Sequence, residues 1–327
     1  MRQVAFGPDE SADSLRIVEV PAPIPGAGEV LIAVDYAGVN RPDLLQRSGK
    51  YPPPPDASPV LGLEVSGHIA ALGPGAGPWQ IGEAVCALTP GGGYAELCRA
   101  PAGHVLPVPE GVTLEQAAGI PETWFTVWAN LVELGHLRHG ERVLVHGGSS
   151  GIGLAAIGLA KLRGAQCLVT VGADDKASFC REFGADAAIN YRSEDFVARV
   201  RELTGGEGVD VVLDMVGGDY ISKNLSVLRR DGRLVLIAFQ RGSRADVDFG
   251  PVMRNRLVVT GSTMRPRTVP EKTQIRDALQ REVWPAFAAG QIRVHVHATY
   301  PLAQAAEAHR LMESGAHLGK ILLRVRP

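Results

Sequence analysis

The residues best suited by type and spacing to chemistry lie in Val143–Gly153, VLVHGGSSGIG, near the middle of a 327-residue chain. A short β-branched run reads as a buried strand. It breaks into glycines and serines, and an apolar segment, Ile152–Leu162, follows and ends at Gly164. Strand, glycine-rich turn and helix together bring backbone N–H groups and a helix N-terminus up to a pyrophosphate. Gly148, Ser149, Ser150, Gly151 and Ile152 are therefore expected to hold a dinucleotide. A glycine-rich turn alone is weak evidence, but here strands and helices also alternate beyond it.

The tip of the next strand decides which dinucleotide. A carboxylate about 20 residues past the glycines would bind a ribose 2′-OH. Gly172 stands there, ending Val169-Thr-Val-Gly172, and Lys176 follows. A 2′-phosphate is not repelled by Gly172 and can pair with Lys176, so the expected cofactor is NADP(H). Asp174 and Asp175 are the contrary residues and read as solvated carboxylates at a helix N-terminus. The Gly147-x-x-x-Gly151-x-Gly153 spacing also fits the short-chain dehydrogenases, which need a Tyr-x-x-x-Lys base. None of the six tyrosines (36, 51, 94, 191, 220, 300) has lysine four residues on.

The elements that must position these residues suggest two domains, at roughly 100–200 residues each. Composition is that of a globular protein, with 45% hydrophobic and 21% charged residues, and the net charge of −2 carries no nucleic-acid or membrane-surface footprint. No apolar h-region opens the chain and no run of 18 apolar residues crosses a bilayer. Cys86, Cys98, Cys167 and Cys180 lack C-x-x-C spacing and read as reduced thiols, which makes the cytoplasm the expected compartment. Residues 1–120 read as β-rich, with candidate strands Val18–Val20, Glu29–Tyr36, Val65–Leu72, Ala84–Leu88 and Tyr94–Arg99 between Pro/Gly turns.

From Glu122 the texture changes. A helix over Trp124–Leu134 precedes the glycine motif. Helices over Lys176–Phe183, Glu194–Thr204 and Asp219–Leu228 then alternate with strands, the fifth of them Arg233–Phe239 and the sixth Leu257–Thr263. This predicts an α/β protein with a doubly wound parallel sheet. The tail has a helix near Pro270–Ala289, a strand at Arg293–Thr299, a helix at Leu302–Ser314 and a last strand, Lys320–Val325. It is expected to return to the N-terminal domain. The divisions are 1–121 plus 264–327 for the β-rich catalytic domain and 122–263 for the inserted Rossmann domain.

Several segments carry a family resemblance: Gly38-Val-Asn40-Arg-Pro-Asp43, Leu61-Gly-Leu-Glu64-Val-Ser-Gly67, Gly91-Gly-Gly-Tyr-Ala-Glu96, Val143–Gly153, Asp214-Met-Val-Gly-Gly218 and Gly319-Lys-Ile-Leu-Leu323. Over essentially its whole length the chain resembles the medium-chain dehydrogenase/reductase superfamily, and within it the zeta-crystallin-like NADPH:quinone oxidoreductases. The run Asn40–Pro54 looks similar to the tumour-suppressor-inducible quinone oxidoreductase branch. The resemblance implies a GroES-like catalytic domain around a Rossmann NADP(H) domain.

Zinc-dependent relatives take ligands at the positions held here by Asn40 and Leu63. Asn is a poor zinc ligand and Leu is none, so no metal is expected. His295 and His297 alternate on one strand face and read as surface residues. Without a metal Lewis acid the acceptor must already be electrophilic, which selects quinones and conjugated enones.

The resemblance assigns Asn40, Tyr51 and Thr126 to the catalytic cleft. It places Tyr191 near the adenosine phosphate, Val216 beside the cofactor and Lys320 either over the cofactor or in solvent. Ala238 and Phe239, at the end of the fifth strand, should border the nicotinamide. Glu64 reads as structural. No residue stands out as a general acid, and the expected proton source is water or a ribose hydroxyl.

The favoured function is metal-free reduction of quinones by hydride transfer from NADPH. An enoyl reductase of 2-enoyl thioesters or alkenals is its nearest competitor, and a non-catalytic NADPH-binding or RNA-binding zeta-crystallin-like protein is a third reading. Nucleic acid is not the expected partner. A homodimer is, through the edge strand at Leu257–Thr260, with a tetramer as the larger assembly.

Overall fold

The computed structural model describes residues 1–7 and 11–326. The chain divides into two compact units, Met1–Phe125 with Arg265–Pro327, and Thr126–Met264.

The first unit is built on a seven-stranded sheet. Its spatial order is Val296–Pro301, Lys320–Arg324, Glu29–Val39, Glu64–Leu72, Ala84–Leu88 and Val105–Pro107, and Leu97–Pro101 also pairs with Glu29–Val39. Val30 to Val34 is an unbroken buried apolar run, because this central strand is covered on both faces. The tail completes the sheet: Lys320–Arg324 runs antiparallel to Glu29–Val39 with Ile321 opposite Val39. That register sets Lys320 beside Asn40, some 280 residues away in sequence.

The second unit is a six-stranded, all-parallel sheet. Its order is Ala187–Asn190, Gln166–Val171, Arg142–His146, Val209–Asp214, Leu228–Leu236 and Val258–Gly261. In chain order this is 3-2-1-4-5-6, the Rossmann arrangement. Val143, Leu144, Val145 and Val211–Leu213 are fully buried, as strands covered by helices on both faces require. The fold is thus α/β, as the alternation of elements predicts. Among the described residues no helix is long and apolar enough to cross a membrane, and all four cysteines are free and buried.

Several boundaries differ from expectation. The fifth strand of the parallel sheet spans Leu228–Leu236, so Ala238 and Phe239 lie in the loop beyond it. The helix expected over Trp124–Leu134 begins at Pro121 and widens into a π-helical stretch, Trp128–Leu134. The Asn130 side chain supplies the reason: its Nδ2 donates to the Thr126 carbonyl (2.8 Å), and the Asn130 carbonyl accepts from Gly135 five residues on (2.8 Å). The helix expected near Pro270–Ala289 divides into Val269–Glu282 and Trp284–Ala288, where Pro285 lacks the N–H to continue it. The strand expected at Tyr94–Arg99 is Leu97–Pro101, and His295 lies just outside Val296–Pro301.

Candidate functional site

The first unit holds a buried polar cluster. Asn40 ends the strand Glu29–Val39 and caps the helix Arg41–Arg47, its N–H donating to Asp43 Oδ2 (2.8 Å). Its side chain is left for other work. Asn40 Nδ2 donates to Glu64 Oε1 (2.8 Å), and Asn40 Oδ1 accepts from Lys320 Nζ (2.7 Å). The ammonium can only donate, which fixes the orientation of the amide.

Lys320 Nζ also donates to Glu64 Oε1 (2.6 Å) and to the Val39 carbonyl (3.3 Å). Glu64 Oε2 accepts the backbone N–H of Glu122 (2.9 Å). Lys320 and Glu64 are both buried, so this ion pair is retained by its hydrogen bonds and not by Coulomb attraction alone. The alternative of a solvated Lys320 is therefore corrected: its ammonium is committed to three protein oxygens. Gly38 makes the arrangement possible, because a Cβ there would stand 2.1 Å from Glu64 Oε1.

Asp43 is the next layer. Its Oδ1 accepts from Gly62 N–H (2.9 Å), and burial pushes its carboxyl up to about 6 despite the Gly62 and Asn40 donors. Tyr94 Oη lies 3.4 Å from Asp43 Oδ2 and 3.1 Å from His309 Nε2. Arg47 Nη1 lies 2.9 Å from His309 Nδ1. Arginine can only donate, so His309 accepts at Nδ1 and carries its proton on Nε2, and the chain of donors runs from Arg47 through His309 and Tyr94 to Asp43.

Tyr51 lies half-buried in the loop after Arg41–Arg47. The Arg265 guanidinium sits 5.5 Å from its ring centroid and is itself held by the Pro90 carbonyl (2.8 and 3.0 Å) and Gln46 Oε1 (2.8 Å). Burial and the neighbouring Glu122 push the Tyr51 phenol up to about 12 against the pull of Arg265. Glu122 is a residue that the sequence motifs do not single out. Burial, then the Glu64 and Asp43 carboxylates, push it up to about 8, against Lys320 and Lys272.

These residues do not suit zinc. Asn40 is committed to Glu64 and Lys320, Leu63 is apolar and buried, and an ammonium already supplies the positive charge beside Glu64. Among the described residues no group of three or more His, Cys, Asp or Glu could hold a metal ion.

The second unit holds the glycine cradle. Ser150 caps the helix Gly151–Leu162: its Oγ accepts from Gly153 N–H (3.1 Å) and donates to the Gly147 carbonyl (2.7 Å). Side chains are excluded from the turn. A Cβ on Gly148 would meet Val169 Cβ at 2.4 Å, and one on Gly153 would meet the Gly148 carbonyl oxygen at 2.2 Å. Ser149 is buried, and Gly151 and Ile152 open the helix half-exposed. The turn suits a pyrophosphate against the helix N-terminus.

Gly172 lies under Tyr191, whose hydroxyl would stand 2.7 Å from a Cβ at that glycine, with Arg192 Nε at 3.5 Å. Lys176 lies near Arg192, and burial pulls its ammonium down. Arg192 is thus a further cation at the strand tip, one that spacing from the glycines does not reveal. Asp174 is not simply solvated, because it accepts from Asn190 Nδ2 (2.7 Å).

Val216 donates its N–H to Asp214 Oδ1 (2.6 Å) and accepts from Arg241 N–H (2.8 Å), which ties the loop holding Ala238 and Phe239 to it. Phe239 is exposed, and its ring edge would stand 2.7 Å from a Cβ on Gly217. Thr126 is half-exposed and gives its carbonyl to Asn130. The structure thus joins Asn40 to Lys320, Gly172 to Tyr191, and Val216 to the Ala238–Phe239 loop.

Residues 26–110 match the alcohol dehydrogenase GroES-like domain family, and residues 183–323 the zinc-binding dehydrogenase family. The solved Escherichia coli quinone oxidoreductase, complexed with NADPH, is 31% identical, with a TM-score of 0.88 over 99% of this chain and 100% of that one. The CurK enoyl reductase is 27% identical, with a TM-score of 0.85 over 99% of each chain. A mycocerosic acid synthase-like polyketide synthase of Mycobacterium tuberculosis is 32% identical over 92% of this chain. The chain spans about 14% of the length of that polyketide synthase. With a GroES-like unit, a Rossmann unit and full-length relatives of this kind, the chain belongs to the medium-chain dehydrogenase/reductase family.

Proposed function

We propose that this chain is an NADPH-dependent reductase of quinones. The observation that carries the reading is the Asn40–Glu64–Lys320 cluster, in which the amide at one position that zinc-dependent relatives use for a ligand is hydrogen-bonded to a carboxylate and an ammonium. When bound, NADPH supplies a hydride from nicotinamide C4. The Ser150-capped helix and its glycine turn would hold the pyrophosphate, and Lys176, Tyr191 and Arg192 the 2′-phosphate. Thr126, Val216, Ala238 and Phe239 are assigned to the nicotinamide end. Asn40 and Tyr51 orient the acceptor carbonyl, and a conjugated acceptor needs no stronger electrophile than their hydrogen bonds.

The NADPH complex of the Escherichia coli quinone oxidoreductase supports this cofactor. A second reading, reduction of 2-enoyl thioesters, is favoured by the likeness to CurK enoyl reductase and to a polyketide synthase. Val258 and Val259 are exposed on the edge strand of the parallel sheet, which supports a homodimer through that edge.

The test is NADPH oxidation against ortho-quinones, para-quinones, enones and enoyl thioesters, with NADH as control. Quinones turning over fastest with NADPH is the expected result. Enoyl thioesters outpacing quinones gives the second reading. NADPH binding without turnover of any acceptor returns the protein to a non-catalytic role.

A further inference from the structure

In the second unit, the turn assigned to the pyrophosphate and the turn that holds Val216 are joined by a buried chain of side chains. Arg142–His146 and Val209–Asp214 are neighbouring parallel strands with Leu213 opposite Val145, so His146 and Asp214 close the two strands side by side. The Gly148 N–H donates to the Thr170 carbonyl (2.9 Å), and Thr170 Oγ1 lies 2.8 Å from His146 Nδ1. His146 Nε2 lies 2.8 Å from Asn224 Oδ1, and Asn224 Nδ2 donates to Asp214 Oδ2 (3.0 Å). Asp214 Oδ1 accepts the N–H groups of Val216 (2.6 Å) and Gly217 (3.2 Å). His146, Thr170, Asp214 and Asn224 are all buried. The His146 ring is packed edge-on against Phe196 and Tyr220, with centroids 5.1 and 4.9 Å away.

Each bond in this chain has one allowed direction. Both Asp214 oxygens accept backbone N–H groups, so the Asn224 group at Oδ2 is its NH2, and the group at His146 is its carbonyl. His146 Nε2 must then carry the proton. Burial pulls the imidazolium down, against Asp214 and Asn224, so the ring is neutral and its Nδ1 accepts from Thr170. We propose that His146 and Asn224 are positioning residues for the nicotinamide half of NADPH, holding the Val216–Gly217 turn in place through Asp214. The inference rests on the assignment of Gly148 to the pyrophosphate and of Val216 to the nicotinamide end. The glycine turn has anchors of its own, the Ser150 cap and the close approach of Gly148 to Val169, whereas the Val216–Gly217 turn leans on the Asp214 side chain. Residues 239–241 follow that turn, because Gln240 and Arg241 donate to the Met215 and Val216 carbonyls (3.2 and 2.8 Å). Breaking the relay therefore loosens the nicotinamide end and leaves the pyrophosphate end in place.

The experiment has two readouts on the full chain. Calorimetric titration compares NADPH with 2′-phospho-ADP-ribose, which keeps the pyrophosphate and the 2′-phosphate but lacks nicotinamide. Asn224→Asp keeps the shape of the side chain and sets a second carboxylate against Asp214. In that variant NADPH affinity is expected to fall about tenfold, with affinity for the truncated ligand unchanged. Equal losses for both ligands, or no loss for either, overturn the proposal. The second readout is heteronuclear NMR of the His146 ring nitrogens in wild type, which stands even where the variant fails to fold. A neutral ring protonated on Nε2 is expected, with resonances that move on adding NADPH and not on adding the truncated ligand. A ring protonated on Nδ1 or charged at about pH 7, or resonances that ignore NADPH or answer both ligands alike, overturns the proposal. A wild type that binds the truncated ligand as tightly as NADPH overturns the assignment of Val216 as well, and one that binds neither overturns the cofactor reading itself.

Discussion

At the scale of single residues, the polar cluster explains why Tyr51 is not asked to give up a proton. Its phenol is pushed up to about 12 by burial and by Glu122, so it is a poor acid at neutral pH but a sound hydrogen-bond donor. Tyr51→Phe is therefore expected to lower kcat for quinones less than about tenfold, while a loss of about a thousandfold would make Tyr51 the acid. In the other unit, Lys176 and Arg192 gather near Gly172 and Tyr191. Lys176→Glu is expected to shift the NADPH/NADH ratio of kcat/KM toward NADH, and an unchanged ratio removes Lys176 from the 2′-phosphate site. The glycines, Asn40 and Lys176 could be nominated from the sequence because the chemistry proposed for them goes with residue type and local spacing. Glu122 could not, because its raised carboxyl depends on its surroundings in the fold, including groups brought from residues 43, 64, 272 and 320. Lys320 was legible as a residue of interest but not as an ion-pair partner, since Glu64 lies 256 residues away.

At the scale of elements, the glycine turn is a packing device as much as a binding one. Gly148 faces Val169 on the neighbouring strand so closely that a methyl group would stand 2.4 Å from the valine Cβ. A β-branched side chain in the middle of a buried strand has no rotamer by which to retreat. Gly148→Ala is expected to cost about 1–3 kcal/mol of stability through overpacking. Calorimetric NADPH titration should also show weaker binding as the turn is displaced. A variant with wild-type melting and affinity would show that the strand yields freely. Element order was legible because hydrophobic periodicity and Pro/Gly punctuation carry it. Element ends were not. The π-helical stretch depends on an asparagine side chain bonding a backbone carbonyl, and the early stop at Leu236 left Ala238 and Phe239 outside the strand expected to hold them.

At the scale of the whole molecule, the buried titratable groups set how stability changes with pH. Burial pulls both His104 and His309 down to about 3, with Lys272 and Arg276 adding to the effect at His104 and Arg47 at His309. An unfolded histidine titrates near 6.5, so between about pH 6.5 and 3 the unfolded chain binds more protons at these sites than the folded one. Their stabilising contribution is complete above the unfolded value and is lost as pH falls through that window, by at most about 1.4 kcal/mol per pH unit for each group. Asp43 and Glu122 act in the opposite sense. Their folded values, about 6 and about 8, lie above those of free carboxyls, so their contribution is present at low pH and lost as pH rises through those windows. The two trends oppose each other between about pH 4 and 6.5, and below that the loss of the histidine contribution is no longer offset by these two carboxyls. His104 is the cleaner probe because its buried ring nitrogens make no well-formed hydrogen bond and only the Leu88 and Val269 backbone lies near enough to offset its burial, whereas His309 holds Arg47 and Tyr94. His104→Leu replaces a desolvated imidazole with an apolar group of similar size. Urea melts at about pH 8, 6.5 and 5 should show the variant at least as stable as wild type at the highest pH, with a growing advantage toward the lowest. Parallel curves for the two proteins would mean that His104 does not remain neutral in the folded chain, and that acid sensitivity lies elsewhere.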